Sequence, residues 1–366
     1  MDQGLAKKLF EEGAFLILVD MPKGTEFGMD WNSWITGPKF KGVKMIPPGL
    51  HFIFYSSNGK HGGHSSPRSG FFHFFKQREI FISHWDVNNE EIQFSHKSVD
   101  EMNSLRDNLK NLDKNLAPYP YDTLEKWVSL TDWINNDVMV KLQPENGKIQ
   151  SVPELISESN VSPSGKEMSE ESVKVPRSSA VDEDGLPILK PKPGTEIKFS
   201  MIPKQWYPPN ATPHEISKHS VDSSYILGQI IKNSSQPEDL LGELQFAFIC
   251  FVLGQVLDAF EQWKSLVNVL CSCDDLLKEH QKLYGSLLTV FYHQLNEIPK
   301  DFFVDVVSSN NFLVSTLTIL FSNLQTEGID ASLQKRGKQF QKYLTKKFKW
   351  NFKSEPDDWA PVVVEI

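Results

Sequence analysis

The sequence predicts an α+β protein with a β-rich domain followed by an all-helical one, and three observations support this fold class. The 366 residues correspond to about two domains of roughly 150 residues each. Short apolar runs separated by Gly and Pro fill the first part, and apolar residues recur at helical spacing after Thr212. No aromatic residue occurs between Ile134 and Lys198. We therefore predict domains at 1–145 and 196–350, a flexible acidic Ser- and Pro-rich linker at 146–195, and an extended tail at 351–366.

The first domain is predicted to consist mainly of short strands. Five apolar runs bounded by turn residues are typical of strands: Phe15–Asp20, Val43–Ser56 with a Pro47-Pro48-Gly49 turn, Phe71–Phe75, Ile80–Trp85 and Ile92–Phe94. The residues Lys76–Glu79 between the third and fourth runs predict a hairpin. Since no helical pattern separates these runs, they favour an antiparallel sandwich-like or barrel arrangement.

Two helices are predicted to pack on these strands. Ser98 and Glu101 have the spacing of a capping box, in which the hydroxyl and the carboxylate each accept a backbone N–H. A second helix is predicted at Asp122–Ile134. The first helix carries an apolar seam too short for a coiled coil, so we expect it to pack against the sheet: Met102, Leu105, Leu109, Leu112 and Leu116.

The second domain is predicted to be almost entirely helical. Thr212, Pro213 and Glu215 supply an N-cap, a first-turn proline and a capping-box acid. The stretch Leu240–Leu253 is apolar nearly all round, which indicates the buried centre of a bundle or a solenoid-like superhelix. Further helices are predicted at Val256–Leu270, Leu276–Leu295, Phe302–Val307, Phe312–Asn323 and Ala331–Trp350.

Composition and charge exclude several classes of protein. The 25 Phe and 9 Trp are too many for a mostly disordered chain. A net charge of −9 excludes a basic field over the whole protein. Three Cys argue for a reducing compartment rather than a disulfide scaffold. The apolar run Phe246–Leu253 is far shorter than the roughly 18 residues that cross a bilayer, so we expect an intracellular protein without a membrane span.

No catalytic pattern is present in the sequence. It contains no G-x-G-x-x-G, phosphate-binding loop, H-E-x-x-H or G-x-S-x-G motif. His61 and His64 lack further ligands nearby, and a metal site needs three or four. Cys271 and Cys273 are two apart at a helix end, which favours structural thiols over a redox pair. We therefore expect no enzyme activity, no cofactor, no metal and no small-molecule substrate.

The clearest functional candidate is a basic helix near the end of the chain. Between Ala331 and Ser354 there are eight Lys or Arg and no acid, so the rest of the chain carries −17. At 100° per residue one face is apolar, and the opposite face carries the lysines. This pattern is compatible with a solvated outer face of a docked helix or with a patch that binds phosphate or an acidic partner. The patch consists of Lys335, Lys338, Lys342, Lys346 and Lys349.

The last residues form a second candidate. Three consecutive Val follow Pro361 near the end of the chain, and this favours an extended strand over a helix. A terminal strand pairs either with its own protein or with the sheet edge of a partner. Both possibilities remain open from these residues alone.

Six runs of residues, in order along both domains, resemble one known family. They are MPKGTEFG (Met21–Gly28), GPKFKGVKMIPPG (Gly37–Gly49), PYPYDTLEKW (Pro118–Trp127), LGELQFAFICF (Leu241–Phe251), IPKDFFVDVVSSNNFL (Ile298–Leu313) and PVVVEI (Pro361–Ile366). Together they are similar to the AAR-two splicing-factor family. The resemblance extends from about Leu5 to Ile366 and weakens only in the linker.

The resemblance implies a fold and a function. It implies a β-rich N-terminal domain and a VHS-like helical domain in a chaperone that assembles the U-five small nuclear ribonucleoprotein (U-five particle), in the cytoplasm and nucleus. The implied partner is the Prp-eight scaffold protein, at its RNase-H-like and Jab/MPN-like domains, and binding there delays the helicase Brr-two. The tail is implied to add a strand between those two domains, through Trp359, Pro361, Val362, Val363, Val364 and Ile366.

Two further hypotheses concern regulation and RNA. Phosphorylation at exposed linker serines would add about −1.5 to −2 charges per site and weaken partner binding; the alternative is a linker that only solubilises. The candidate sites are Ser164, Ser169 and Ser172.

The alternative function is an RNA-binding splicing module that uses the basic helix 331–353, with Tyr343, Trp350 and Phe352 interleaved. Against it, Phe340 and Phe348 fall on the apolar face, and single-stranded RNA needs exposed aromatics.

Overall fold

The computed structural model describes residues 3–57, 66–94, 109, 111–157, 189–299 and 312–352. The chain divides into two compact units. The β-rich unit contains the described residues of 1–121, 140–198 and 252–256, and the helical unit contains those of 122–139, 199–251 and 257–366. This division differs from the predicted domains mainly at 122–139, which belongs to the helical unit although it precedes the linker.

The β-rich unit begins with a helix that the sequence analysis did not predict, α1 (Gln3–Glu12). The predicted strands are all present, and short additional ones accompany them. The described strands are β1 (Ala14–Val19), β2 (Glu26–Met29), β3 (Asn32–Ile35), β4 (Gly42–Ile46), β5 (Gly49–Ser56), β6 (Ser69–Phe75), β7 (Ile80–Asp86), β8 (Glu91–Phe94), β9 (Leu116–Pro118), β10 (Ile149–Gln150), β11 (Leu155–Ser157) and β12 (Leu189–Pro191).

These strands form two five-stranded sheets and one two-stranded sheet. The first has the order β8-β7-β1-β4-β9, the second β10-β6-β5-β2-β3, and β11 pairs with β12. The second sheet is antiparallel, as predicted. The first is mixed, because β1 is parallel to β7 and β4 is parallel to β9. The prediction of purely antiparallel strands was therefore wrong for the first sheet, whose parallel neighbours are joined by long connections rather than tight turns.

The predicted hairpin between Phe71–Phe75 and Ile80–Trp85 was also wrong. The strand β6 pairs with β5 and β10 in the second sheet, whereas β7 pairs with β1 and β8 in the first. Lys76–Glu79 therefore carries the chain from one sheet to the other. The two strands meet through side chains instead, since the ring of Phe81 lies 5.9 Å from that of Phe71 and 6.1 Å from that of Phe75. Aromatic contacts of this kind join the two sheets in a sandwich-like arrangement.

Part of the predicted helix after Ser98 lies in the described residues. Leu109 is buried against Phe15, Ile17 and Ile80 of the first sheet, so the seam packs on the sheet there as expected. Leu116, however, belongs to strand β9 and not to a helix, because a 3-10 turn at Asp113–Asn115 ends the segment. Residues 95–108 and 110, which include the Ser98 capping box, lie outside the described residues.

Ten further helices follow in the described part of the chain: α2 (Leu124–Thr131), α3 (Asn136–Leu142), α4 (Pro213–Val221), α5 (Ser224–Lys232), α6 (Asp239–Val252), α7 (Leu257–Cys271), α8 (Asp275–Glu279), α9 (Gln281–Glu297), α10 (Phe312–Asn323) and α11 (Ala331–Phe348). The capping box of Thr212 and Glu215 is confirmed at the start of α4. Residues Leu240 to Cys250 of α6 are all buried, as their composition predicted. The predicted helix Leu276–Leu295 is two helices that meet at His280. The predicted helix Phe302–Val307 lies outside the described residues.

Buried polar contacts explain why segment 122–139 groups with the helices. The side chain of Gln245 in α6 is fully buried. It accepts a hydrogen bond from the backbone N–H of Trp133 at 2.8 Å and donates one to the carboxylate of Asp132 at 2.7 Å. In addition, Lys126 of α2 forms an ion pair with Glu297 of α9 at 2.8 Å.

No helix among the described residues is both long and apolar enough to cross a bilayer.

One close approach in the helical unit gives a stability prediction. An added Cβ at Gly242 would lie 2.5 Å from the carbonyl oxygen of Trp133, which is backbone and cannot rotate away. We expect Gly242→Ala to lower the free energy of unfolding by about 1–3 kcal/mol. Gly228→Ala is the matched control, because its Cβ would meet only Leu276 at 3.6 Å. It should raise helix stability by up to about 1 kcal/mol. Equal midpoints for the two variants in urea denaturation would contradict this packing.

Candidate functional site

The basic patch lies on the exposed face of α11, as predicted. Lys335, Lys338, Lys342, Lys346 and Lys349 are all exposed. On the opposite face Leu333, Phe340 and Leu344 are buried, while Phe348 is half-buried and stacks on Trp350 with ring centroids 4.4 Å apart. The helix is capped by Asp330, whose carboxylate accepts the backbone N–H of Ser332. The helical period therefore separates the lysines from the core, which is what the sequence pattern predicted.

Two other cations of the same helix hold it against α9. The guanidinium of Arg336 donates to the carbonyl oxygen of Gly285 at 2.6 Å and to the hydroxyl of Thr289 at 2.9 Å. The ammonium of Lys347 donates to the carbonyl oxygens of Leu295 and Asn296 at 3.1 and 2.8 Å. These carbonyls belong to the last turn of α9, where a cation also interacts favourably with the helix dipole. Arg336 and Lys347 therefore attach α11 to α9 and are not part of the exposed lysine row.

A pair of tyrosines lies beside the lysines. The ring of Tyr343 in α11 is 4.9 Å from that of Tyr292 in α9, and Tyr292 is 41% exposed. The hydroxyl of Tyr343 hydrogen-bonds the side-chain oxygen of Asn296 at 2.9 Å, and burial raises the pKa of this tyrosine, so the phenol stays protonated. Trp350 and Phe352, the other aromatics suggested for this surface, are buried. Tyr292 was not predicted as a site residue, because its contact with Tyr343 depends on the packing of α9 against α11.

The β-rich unit contains a buried polar cluster that the sequence analysis did not identify. Nδ1 of His51 lies 2.7 Å from the carboxylate of Asp30, and Nε2 lies 2.8 Å from the carbonyl oxygen of Pro47. Both partners are acceptors, so both contacts are hydrogen bonds only when each ring nitrogen carries a proton. The hydroxyl of Tyr119 donates to the same carboxylate at 2.6 Å. Burial, and then the neighbouring Asp30, raise the pKa of Tyr119.

This cluster is a structural feature and not an active site. Asp30 is fully buried, and His51 and Tyr119 are nearly so, which leaves a substrate no access to them. The second oxygen of Asp30 accepts the backbone N–H of Phe52 at 2.9 Å. Asp30 also has a φ of +54°, a backbone conformation that Asp and Asn tolerate better than other non-glycine residues. The cluster joins the turn between β2 and β3 to β5 and to the segment after β9.

The cysteines have the properties of core residues. Cys250, Cys271 and Cys273 are free and buried, in agreement with the structural role predicted for the last two. Burial raises the pKa of all three thiols, that of Cys273 to about 12. A thiol becomes nucleophilic as the thiolate, so these residues are poor candidates for redox or covalent chemistry. No cluster of three His, Cys, Asp or Glu suited to a metal occurs among the described residues; His61 and His64 lie outside them.

A polar cleft of about 520 Å³ opens in the β-rich unit. Its charged groups are already paired: the hydroxyl of Ser57 donates to Glu90 at 2.6 Å, and Lys192 pairs with Glu154 at 3.2 Å. A hydrogen bond from Gln150, and then the charge of Lys192, lower the pKa of Glu154. Glu154 is therefore held in its charged form by its partners and is not a poised general acid.

The other predicted site residues lie outside the described residues. They are the tail residues Trp359, Pro361, Val362, Val363, Val364 and Ile366, and the linker serines Ser164, Ser169 and Ser172. Their roles stay predictions.

Comparisons with known proteins identify similarity over nearly the whole chain. Residues 12–144 match the family model described as the AAR2 N-terminal domain, and residues 199–353 match the AAR2 C-terminal repeat region. The chain is 48% identical to the human protein named Protein AAR2 homolog, with 100% of this chain and 97% of that protein covered. The Caenorhabditis elegans protein of the same name is 38% identical, with 94% and 96% covered. The Saccharomyces cerevisiae A1 cistron-splicing factor AAR2 is 21% identical, with 72% and 70% covered.

Proposed function

Because the chain belongs to the AAR2 family, here also written AAR-two, we propose that it is a non-catalytic assembly factor for the U-five particle of the splicing machinery. It binds the Prp-eight scaffold at its RNase-H-like and Jab/MPN-like domains and delays the joining of the helicase Brr-two. The observation that supports this proposal is the similarity over the full chain to the human Protein AAR2 homolog, together with the more distant similarity over 72% of the chain to the Saccharomyces cerevisiae A1 cistron-splicing factor AAR2. The protein acts in the cytoplasm and the nucleus.

In this proposal, binding depends on a strand that the tail lends to its partner. A strand added to a sheet edge gains main-chain hydrogen bonds worth roughly 0.5–1.5 kcal/mol each, and alternate side chains fill pockets. Residues Pro361–Ile366 have the β-branched composition that such a strand needs. The helical unit, VHS-like in this proposal, supplies further contact area.

The chemistry of the described residues is compatible with a protein that binds and does not catalyse. The thiols are buried, the Asp30–His51 pair is closed to solvent, and the acids of the polar cleft have partners. A binding protein needs complementary surface and no activated nucleophile. Release then requires a switch, and phosphorylation of Ser164, Ser169 or Ser172 in the acidic linker is the proposed one.

The proposed function is tested by competition between the full-length chain and the helicase. A scaffold fragment that contains the RNase-H-like and Jab/MPN-like domains is mixed with helicase and with increasing amounts of this chain, then separated by gel filtration. We expect two mutually exclusive complexes, with helicase displaced in proportion to the chain added. A complex that contains all three proteins would contradict the delaying role. Failure of the chain to comigrate with the fragment would contradict the proposed function as a whole.

A further inference from the structure

We propose that the exposed face of α11 and the adjoining Tyr292–Tyr343 pair bind single-stranded RNA, with the lysines on phosphates and a base stacked on Tyr292. The proposal goes beyond the assembly function, because it gives the helical unit a ligand that is independent of the tail strand. It rests on three properties of this surface. They are its positive charge, the fact that other cations than the five lysines attach the helix to α9, and its exposed aromatic pair.

The charge of this surface is concentrated and uncompensated within the described residues. Lys335, Lys338, Lys342 and Lys346 follow one another at spacings of three or four residues, so they lie in a line about 17 Å long on the helix, and Lys349 continues the row at the C-cap of the helix. None of them forms an ion pair or a hydrogen bond with another described residue. Residues 331–354 contain no acid, although the rest of the chain carries −17. A linear row of cations on an otherwise acidic protein matches a linear polyanion.

Docking of the helix does not require these five lysines. Arg336 and Lys347 make the polar contacts with α9, and Leu333, Phe340 and Leu344 fill the core. Like charges three or four residues apart on one helix face repel each other and destabilise the helix. The row is therefore a cost to the isolated fold, and a bound polyanion offsets that cost.

The tyrosine pair distinguishes a nucleic acid from an acidic polypeptide. Tyr343 lies three residues before Lys346 and therefore flanks the lysine face. Its ring contacts the exposed ring of Tyr292, so the two tyrosines together border the row of lysines. The acid whose charge acts on Tyr343, Glu297, is paired with Lys126 at 2.8 Å. An exposed aromatic ring beside a row of cations is the arrangement that binds single strands, because bases stack while phosphates meet the charges. An acidic peptide would use the lysines alone.

The test is fluorescence anisotropy of a labelled oligouridine, about twelve nucleotides long, with the full-length chain across a salt series. Neutralising the row by Lys→Gln at all five positions should weaken binding at least tenfold. For single strands the slope of log K against log salt is about −0.7 per phosphate contact, so the slope should become shallower by up to about 3.5. The matched control carries Lys→Gln at five exposed lysines elsewhere, with the same change in net charge: Lys8, Lys23, Lys39, Lys76 and Lys204.

Two variants of Tyr292 test stacking separately from charge. Tyr292→Ala should weaken binding about fivefold or more with an unchanged salt slope, whereas Tyr292→Phe should bind as the unaltered chain does. Circular dichroism serves to show that each variant is folded. Equal weakening by the row variant and its matched control would overturn the proposal, as would undetectable binding at low salt. It would also be overturned if polyglutamate competed as well as oligouridine and Tyr292→Ala had no effect, since the surface would then bind acidic polypeptide.

Discussion

Replacement of Asp30 by alanine should lower the free energy of unfolding of the β-rich unit by about 3–5 kcal/mol. The carboxylate faces a ring nitrogen of His51 at 2.7 Å, the hydroxyl of Tyr119 at 2.6 Å and the backbone N–H of Phe52 at 2.9 Å. All three donors are buried, so its removal leaves them without a partner in a region that water does not reach. Alanine is also disfavoured at the φ of +54° found at this position.

Hydrogen exchange on the full-length chain measures this effect unit by unit. Amides of β5, including Phe52, should lose protection in Asp30→Ala, while amides of α7 in the helical unit should keep theirs. Asp30→Asn is the matched control, because Asn tolerates positive φ and retains an acceptor. Asp30→Asn should cause a smaller loss of amide protection than Asp30→Ala, because it keeps an acceptor and a backbone that tolerates this φ. Tyr119→Phe removes one hydrogen bond to a charged group, worth about 1.5–3 kcal/mol. If Asp30→Ala left the protection of β5 unchanged, the cluster would not stabilise the unit.

Local patterns were sufficient to predict the longer strands and most of the helices, but not the short strands β2, β3 and β9 to β12. The strands β1, β5, β6 and β7 were predictable because each is a run of apolar or aromatic residues bounded by turn residues. The strands β2 and β3 were missed because Glu26–Met29 and Asn32–Ile35 are four residues long and partly polar. The pairing of β1 with β7 could not be predicted, since the alternation of side chains is the same in parallel and antiparallel neighbours.

The candidate site was predictable where it depends on one helix and not where it joins distant segments. The lysine face of α11 follows from the helical period alone. Tyr292 belongs to another helix, and its contact with Tyr343 depends on how α9 and α11 pack. The Asp30 cluster joins residues separated by 21 and 89 positions in the chain. No periodic pattern links such residues, because only the folded sheets bring them together.

The second large effect is expected from the C-terminal tail, which carries the central claim that this protein binds by lending a strand. Truncation after Ser354 removes residues 355–366 and keeps every described residue. The last of them, Phe352, is buried with its ring 5.1 Å from that of Phe321, so we expect the truncated chain to remain folded. Losing about four main-chain hydrogen bonds, at roughly 0.5–1.5 kcal/mol each, should weaken assembly at least about thirtyfold.

A pair of point variants separates strand pairing from the mere presence of the tail. Val363→Pro removes a backbone donor and disfavours an added strand. Val363→Thr, by contrast, keeps a β-branched residue with high strand propensity. We expect the proline variant to bind as weakly as the truncated chain, and the threonine variant to retain most of the affinity.

The most direct test is the affinity of the truncated chain for the joined RNase-H-like and Jab/MPN-like domains of the scaffold, measured by isothermal titration calorimetry beside the full-length chain. Circular dichroism of the two proteins provides the control for folding. The proposed strand addition predicts equal helical content and an affinity at least about thirtyfold lower without residues 355–366. Equal affinities for two equally folded chains would contradict it.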